Sequence, residues 1–443
     1  MFRYLRIYLT LCCLTLVLCC SNDSTIITTQ NVTIDTISTF GGSKNESGQS
    51  VVATNDGGYA ILGFTQSTDG DIINKQNEDF DFWLLKFDAE NQLQWQKTFG
   101  GTNDDKGVTI IQTTEGGFAI LGYSNSNNGD VSQNFGLQDF WILKLDPNGN
   151  IEWERTYGFQ GADRGISLIQ TNDTGFLLCG ILDVTASGGE GNTSRLYQRH
   201  AGGDYWVLKL NTSGNLEWSK FFGGNFTDTP EGLIQTSDNN YIIVGGSDSI
   251  DTDISDNKGS YDFWVIKIST TGNLIWEKSF GGSQIDEARA IIATEDGNFL
   301  IAGDTRSNDL DVSNNIGAAD LWLVKISTVG DLIWEKTIGG TNFDVARDVI
   351  KSQNNGYIIA GSSRSSDLDV AENKGQNDAW IINVDDEGNL LWEKSAGGSN
   401  IDFAYSLALL NDGSIIATGD STSNDGDIIE NKGFTDLLVL KMK

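Results

Sequence analysis

Carboxylates recur along this chain of 443 residues at spacings that suit more than one chemistry. A loop pattern D-x-D-Φ-x-x-N-x-G-x-x-D appears as Asp309, Asp311, Asn315, Gly317 and Asp320, and again as Asp367, Asp369, Asn373, Gly375 and Asp378. Hard cations such as Ca2+ take about six to eight oxygen ligands, and acids at the first, third and twelfth positions offer several. The sixth-position glycine that such a loop uses for its sharp turn is absent, so Ca2+ is one reading of these acids and turn capping is another. Asp and Asn side chains close tight turns by accepting from nearby backbone N–H groups, and a role that returns in unit after unit favours capping. Carboxylate pairs also serve glycoside hydrolysis, but catalysis needs one distinctive pair and every pair here is repeated. The sole histidine, His200, stands beside Arg195, Tyr197 and Arg199 in the irregular stretch 183–204, where these side chains can hydrogen-bond a sugar, a carboxylate or a partner protein. There is no G-x-S-x-G elbow, H-E-x-x-H helix or P-loop, and the expectation is a non-catalytic chain.

The elements that hold these residues form a repeat. An FGG-like corner recurs at Phe40, Phe99, Tyr157, Phe222, Phe280, Ile338 and Ala396, at intervals of 59, 58, 65, 58, 58 and 58 residues. So regular a period means one supersecondary unit per repeat, stacked to bury a shared core. In one unit, strand-like runs occupy residues 288–294, 298–305, 320–327 and 331–338, separated by turn-forming segments. Four short antiparallel strands per unit describe a blade, and seven units describe an all-β, seven-bladed propeller with repeats starting near residues 41, 100, 158, 223, 281, 339 and 397. After Ala396 only three strand runs remain, while residues 32–40 match the missing fourth, so the N-terminal strand is expected to close the last blade and remove open edges. The twelve tryptophans fall at two fixed places per unit, which suits packing between blades.

Three acidic positions recur. One follows the corner (Glu46, Asp105, Asp163, Asp228, Asp286, Asp344, Asp402), one opens the third strand (Asp81, Asp139, Asp204, Asp262, Asp320, Asp378, Asp436), and the third is the D-x-D pair. Antiparallel strands put the corner and the second-to-third loop at the same end of a blade, so these acids converge on one face. A corner acid, a hydroxyl of the second strand and the third-strand Asp are expected to lock each blade by hydrogen bonds. Blade three breaks the pattern, being seven residues longer and lacking the D-x-D loop.

The segments GGSQID (281–286), YIIAG (357–361) and DFWVIKI (262–268) resemble those of the bacterial β-propeller repeat family. The resemblance implies the fold over residues 34–443. It implies no reaction, because function resides in sites grafted on folds.

Outside the repeat, Arg3 and Arg6 precede an apolar run and the sequence LVLCCSND, a pattern that resembles a bacterial lipoprotein signal. On this reading residues 1–19 are removed, Cys20 carries the lipid, and residues 20–31 tether a propeller spanning 32–443. Cys179 is then the one remaining thiol, and no intrachain disulfide can form. A net charge of −32 excludes a phosphate-binding surface for nucleic acid, which needs cations. The expectation is a monomer in the bacterial cell envelope, at the outer membrane or cell surface, attached only by its lipid and binding an extracellular protein or glycan through its acidic loop face. A polysaccharide hydrolase or lyase, and a structural envelope scaffold, are the alternatives.

Overall fold

The computed structural model describes residues 32–183, 203–354 and 356–443, and the described chain consists of 28 strands in seven four-stranded antiparallel sheets. Each sheet is one blade. In the fifth, the strands are Asp286–Ala293, Phe299–Thr305, Asp320–Ile326 and Leu332–Ile338, paired in chain order. The runs read from sequence match these within two residues, except that the innermost strand begins earlier, at the corner acid.

The last blade takes its fourth strand from the other end of the chain. Strand β1 (Ile34–Phe40) lies antiparallel to β28 (Asp436–Met442), with Phe40 opposite Leu437 and Ile37 opposite Leu440. Thr33 and Lys443 exchange backbone hydrogen bonds of 2.8 and 3.0 Å beyond the ladder, and Phe40 meets Phe87 of blade one edge-on at 5.2 Å. The ring is thus closed by pairing, as expected from the sequence.

Alternation along the strands explains why the sheets stack. The second and third strands of each blade are buried on both faces and read as apolar runs, such as DFWVIKI, whereas the fourth is half-exposed. Third-strand tryptophans are buried and meet an aromatic residue of the preceding blade at their edges: Phe82 with Trp141, Phe140 with Trp206, and Phe263 with Trp322, at 4.6–4.8 Å. Burying about 200 Å² of each contributes on the order of 5 kcal/mol, so the tryptophans set the blade-to-blade spacing. Fourth-strand tryptophans lie against the next blade's last turn, where Gly330 adopts φ +84° and a Cβ would come within 3.2 Å of the Trp276 ring. Cys179 is buried in the second strand of blade three, and burial pushes its thiol far above the ordinary range.

One irregularity recurs in every blade and bears on function. The pairing of the innermost strand with the second slips by one residue at Gln49, Val108, Ile166, Glu231, Arg289, Arg347 and Tyr405. Such a β-bulge leaves one residue unpaired and re-aims its side chain. Here all seven point into the space around the axis of the ring.

Candidate functional site

The corner acids are architectural, in blade three as well, where Asp163 accepts from the Phe159 N–H at 2.7 Å and the Asp183 N–H at 2.8 Å. Asp286 Oδ2 accepts from the Gly282 N–H at 2.7 Å and the Ser307 hydroxyl at 2.8 Å, while the Thr305 hydroxyl donates to Oδ1. Asp344 does the same with Gly340, Ser363 and Ser365, and Glu46 accepts from the Gly42 N–H, the Thr65 hydroxyl and the Ser67 N–H. Each corner acid therefore ties the turn between two blades to the second strand of its own blade.

The D-x-D acids complete the same turn. Asp309 accepts from the Ser283 N–H at 2.8 Å and Asp311 from the Gly281 N–H at 3.2 Å; Asp367 and Asp369 accept from Thr341 and Gly339 at 2.9 and 3.2 Å. Asp320 and Asp378 turn away from these pairs and cap their own loops, accepting from Ile316 and from Lys374. The six acids named for a cation thus face separate backbone amides. Among the described residues, no group of three or more His, Cys, Asp or Glu side chains is arranged to hold a metal ion.

The third-strand acids differ from expectation in how they join blades. Oδ1 of Asp81, Asp139, Asp262, Asp320, Asp378 and Asp436 is buried without a hydrogen-bond partner. It instead packs against the next corner glycine: a Cβ on Gly339 would lie 2.6 Å from Asp320 Oδ1 and 2.9 Å from Asp344 Oδ2, which is why that position carries no side chain. Burial pushes Asp320, Asp378 and Asp436 up to about 6 and Asp262 to about 7, with the neighbouring corner acid adding to the shift. Lysines relieve some of these junctions: Lys258 reaches Asp311 at 3.2 Å, Lys374 reaches Asp427 at 2.9 Å and Lys432 reaches Asp71 at 2.6 Å. In blade five Ile316 takes the place of the lysine.

Arg195, Tyr197, Arg199 and His200 lie outside the described residues, as does Cys20. The chain enters their loop at Asp183, which accepts from the Ala162 N–H at 3.4 Å.

The axial channel is where the seven-fold pattern fails. Its cavity of about 380 Å³ is lined by the bulge residues and their neighbours on the innermost strands. Val108 and Ile166 make one wall apolar, while blades four to one supply Glu231, Arg289, Arg347, Tyr405 and Gln49. One residue further on, side chains stitch the strands together. Ile110 N–H donates to Ser50 Oγ at 3.3 Å, Val51 N–H to Ser406 Oγ at 3.2 Å, and Leu407 N–H to Asp348 Oδ2 at 2.8 Å. These groups belong to the scaffold, whereas the bulge residues face the cavity.

Charge is concentrated here. Arg289 pairs with Glu231 at 3.2 Å, with Glu287 at 2.7 Å and with Asp304 at 3.6 Å. Burial raises the Glu231 carboxyl, against the pull of Arg289 and Arg347. Asp420 is pushed up by burial to about 6 and accepts from the Ser47 hydroxyl at 3.0 Å and the Tyr405 hydroxyl at 3.2 Å. On the corner side, Arg306 and Arg364 flank the Phe343 ring at 5.8 and 5.7 Å, and Arg164 lies over Tyr123 at 5.3 Å. Of the six arginines among the described residues, Arg289 and Arg347 line this cavity. In a chain of charge −32, an inner rim of arginine surrounded by acidic loops is a strong local reversal of sign.

Nothing in the sequence expectations named these residues. The signal was present three residues after each corner acid, where the residue varies as Gln, Val, Ile, Glu, Arg, Arg and Tyr while the corner position stays acidic.

No family model matches the chain, and no curated protein matches it. Among solved structures, it is similar to the Pan2 WD40 domain of Neurospora crassa, at 9% identity over 90% of this chain and 97% of that one, with a TM-score of 0.46. It is also similar to Sqt1 from Chaetomium thermophilum, at 10% identity over 88% and 82% of the two chains and a TM-score of 0.44. A third is the gluconolactonase XC5397 from Xanthomonas campestris, at 10% identity over 92% and 89% and a TM-score of 0.39. Likenesses at this level carry no function to this chain, whose seven-bladed propeller fold is read from its own strand order.

Proposed function

We propose that this chain is a non-catalytic binding module of the bacterial cell envelope, held by a lipid on Cys20, that captures an extracellular glycan or protein by a group entering the axial channel from the corner side. The observation that carries the reading is the ring of bulge residues. They are unpaired in the ladder, aimed at one cavity and chemically different from blade to blade, as a ligand site on a repeating scaffold must be. A cavity of about 380 Å³ suits a small molecule or the end of a chain. The blade-three loop with Arg195, Tyr197, Arg199 and His200 serves in this reading as a specificity element, and deleting residues 186–201 should weaken capture. The main test fills the channel: Ile166→Trp or Val108→Trp should abolish ligand capture by the tethered protein without changing its melting curve, and undiminished capture would overturn the proposal.

One observation favours a second reading, a polysaccharide hydrolase or lyase. Asp420, with a carboxyl near 6 and a tyrosine hydroxyl in contact, is placed as a general acid or base would be. Turnover of a polysaccharide panel that is lost in Asp420→Asn would establish it.

A further inference from the structure

Two cavity-lining cations face the channel, and they are in different states. Arg289 is surrounded by three acids. Arg347, the bulge residue of blade six, has a side chain that makes no ion pair within 4 Å and no hydrogen bond among the described residues, and its Nε is buried without a partner. The cations of the opposite face show how unusual that is. There Lys86, Lys144, Lys209, Lys267 and Lys325 each reach an acid within about 3 Å: Asp56, Glu152, Asp173, Asp238 and Asp296. On the corner side the Arg306 side chain repeats the pattern of Arg347, with a buried Nε and neither an ion pair nor a hydrogen bond among the described residues, its guanidinium resting over Phe343. Asp304 lies within electrostatic reach of both.

We infer that Arg347 is a carboxylate subsite, with Arg306 guarding its entrance, and that the ligand is the acidic sugar end of an extracellular glycan. Three features converge on that class. A guanidinium whose donors are unspent and partly desolvated lacks a planar acceptor, and a carboxylate matches its fork with two parallel bonds. Glu231 lines the cavity and Asp304 and Asp420 lie within electrostatic reach of Arg347, so a singly charged carboxylate is repelled less than a doubly charged phosphate. The walls are divided between the apolar Val108 and Ile166 and the polar Gln49 and Tyr405, matching a sugar ring with one C–H face and a hydroxylated edge. This inference rests on the channel being the ligand site.

The test is calorimetry on the full chain in detergent, with digalacturonate, its neutral analogue digalactose and inorganic phosphate as probes. Digalacturonate should bind at least tenfold more tightly than digalactose, and Arg347→Gln should erase that preference. Arg347→Lys, which keeps the charge but loses the fork, should restore only part of it and guards against a misfolded Gln variant. Equal binding of the two saccharides, or a preference untouched by either variant, overturns the carboxylate subsite while leaving the channel as a ligand site. Phosphate binding more tightly than digalacturonate also overturns it. Binding of no probe overturns it too, and the channel-filling tryptophans then decide separately whether the channel reading stands.

Discussion

The corner ring and the bulge ring are built from the same seven innermost strands, three residues apart, and they have opposite characters. At the corner the residue is acidic in every blade, and in Asp286, Asp344 and Glu46 its oxygens are spent on backbone amides and hydroxyls. At the bulge it changes from apolar to acidic to basic around the ring, and the buried Nε of Arg347 has no hydrogen-bond partner, although its charge reaches Glu231, Asp304 and Asp420. A ring of like blades must solve the same packing problem seven times, so what repeats is architecture. A ligand touches the ring once, so what differs is open to function.

The largest effect should come from breaking the corner. Asp286→Ala leaves the Gly282 N–H and the Thr305 and Ser307 hydroxyls buried and unpaired, at about 1–3 kcal/mol each before relaxation, so roughly 3–5 kcal/mol is expected by urea denaturation. Arg347→Gln should cost less, about 1 kcal/mol, because it breaks no ion pair or hydrogen bond among the described residues and removes only the longer-range attraction to Glu231, Asp304 and Asp420. If the two costs were reversed, the division of labour between the rings would be wrong.

Acid should sharpen the same contrast. Asp81, Asp139, Asp262, Asp320, Asp378 and Asp436 are pushed by burial to about 6 or 7, whereas unfolded carboxyls titrate near about 3.9. Between these values the folded chain binds more protons than the unfolded one, so stability rises as pH falls from 8 toward 5. Below about 4 the sign turns, because burial raises Asp56 but the bonds from Lys86 and Thr54 pull it further down, to about 2, and that contribution is lost on protonation. A melting series should therefore peak on the acid side of neutral; a melting temperature that falls steadily from pH 8 to pH 5 would show that the third-strand acids are not desolvated as described. Asn substituted for Asp320 should flatten the rise.

A smaller effect tests whether blades five and six carry further function. Leu310 and Leu368, the middle residues of their D-x-D loops, have φ of 58° and 56° and are 67% and 68% exposed, where other blades place Gly70, Gly129 and Gly426. Left-handed backbone costs a leucine about 1–2 kcal/mol and glycine repays part of that in entropy, so Leu310→Gly should stabilise by about 0.5 kcal/mol. Weaker ligand capture by that more stable variant would extend the binding surface outward from Arg306. The smallest effect is expected from calcium: the loop acids already close on amides, so melting curves with Ca2+ and with chelator should nearly coincide, and a separation growing with calcium concentration would give the loops a second role.

The periodic features were legible in the sequence because they depend on local chemistry repeated at a fixed interval. The corner spacing, the four strand runs and the two tryptophan positions set the blade, and residues 32–40 complete the seventh because three strands there lacked a fourth. The corner acids and D-x-D pairs were correctly placed on one face, since antiparallel pairing leaves no choice of end. The third-strand Asp was assigned to the corner acid's hydrogen-bond network; its Oδ2 instead caps its own loop while Oδ1 packs against the next corner glycine, a distinction between neighbours that no spacing encodes. The channel was decided only by the tertiary structure. A one-residue slip in the ladder turns Arg289 and Arg347 toward the axis, and closure of the ring brings seven side chains from positions about 58 residues apart into a single cavity. Sequence by itself thus determined the unit and its repetition; which charges meet at the axis, and which of them go unpaired, required the circle to be closed.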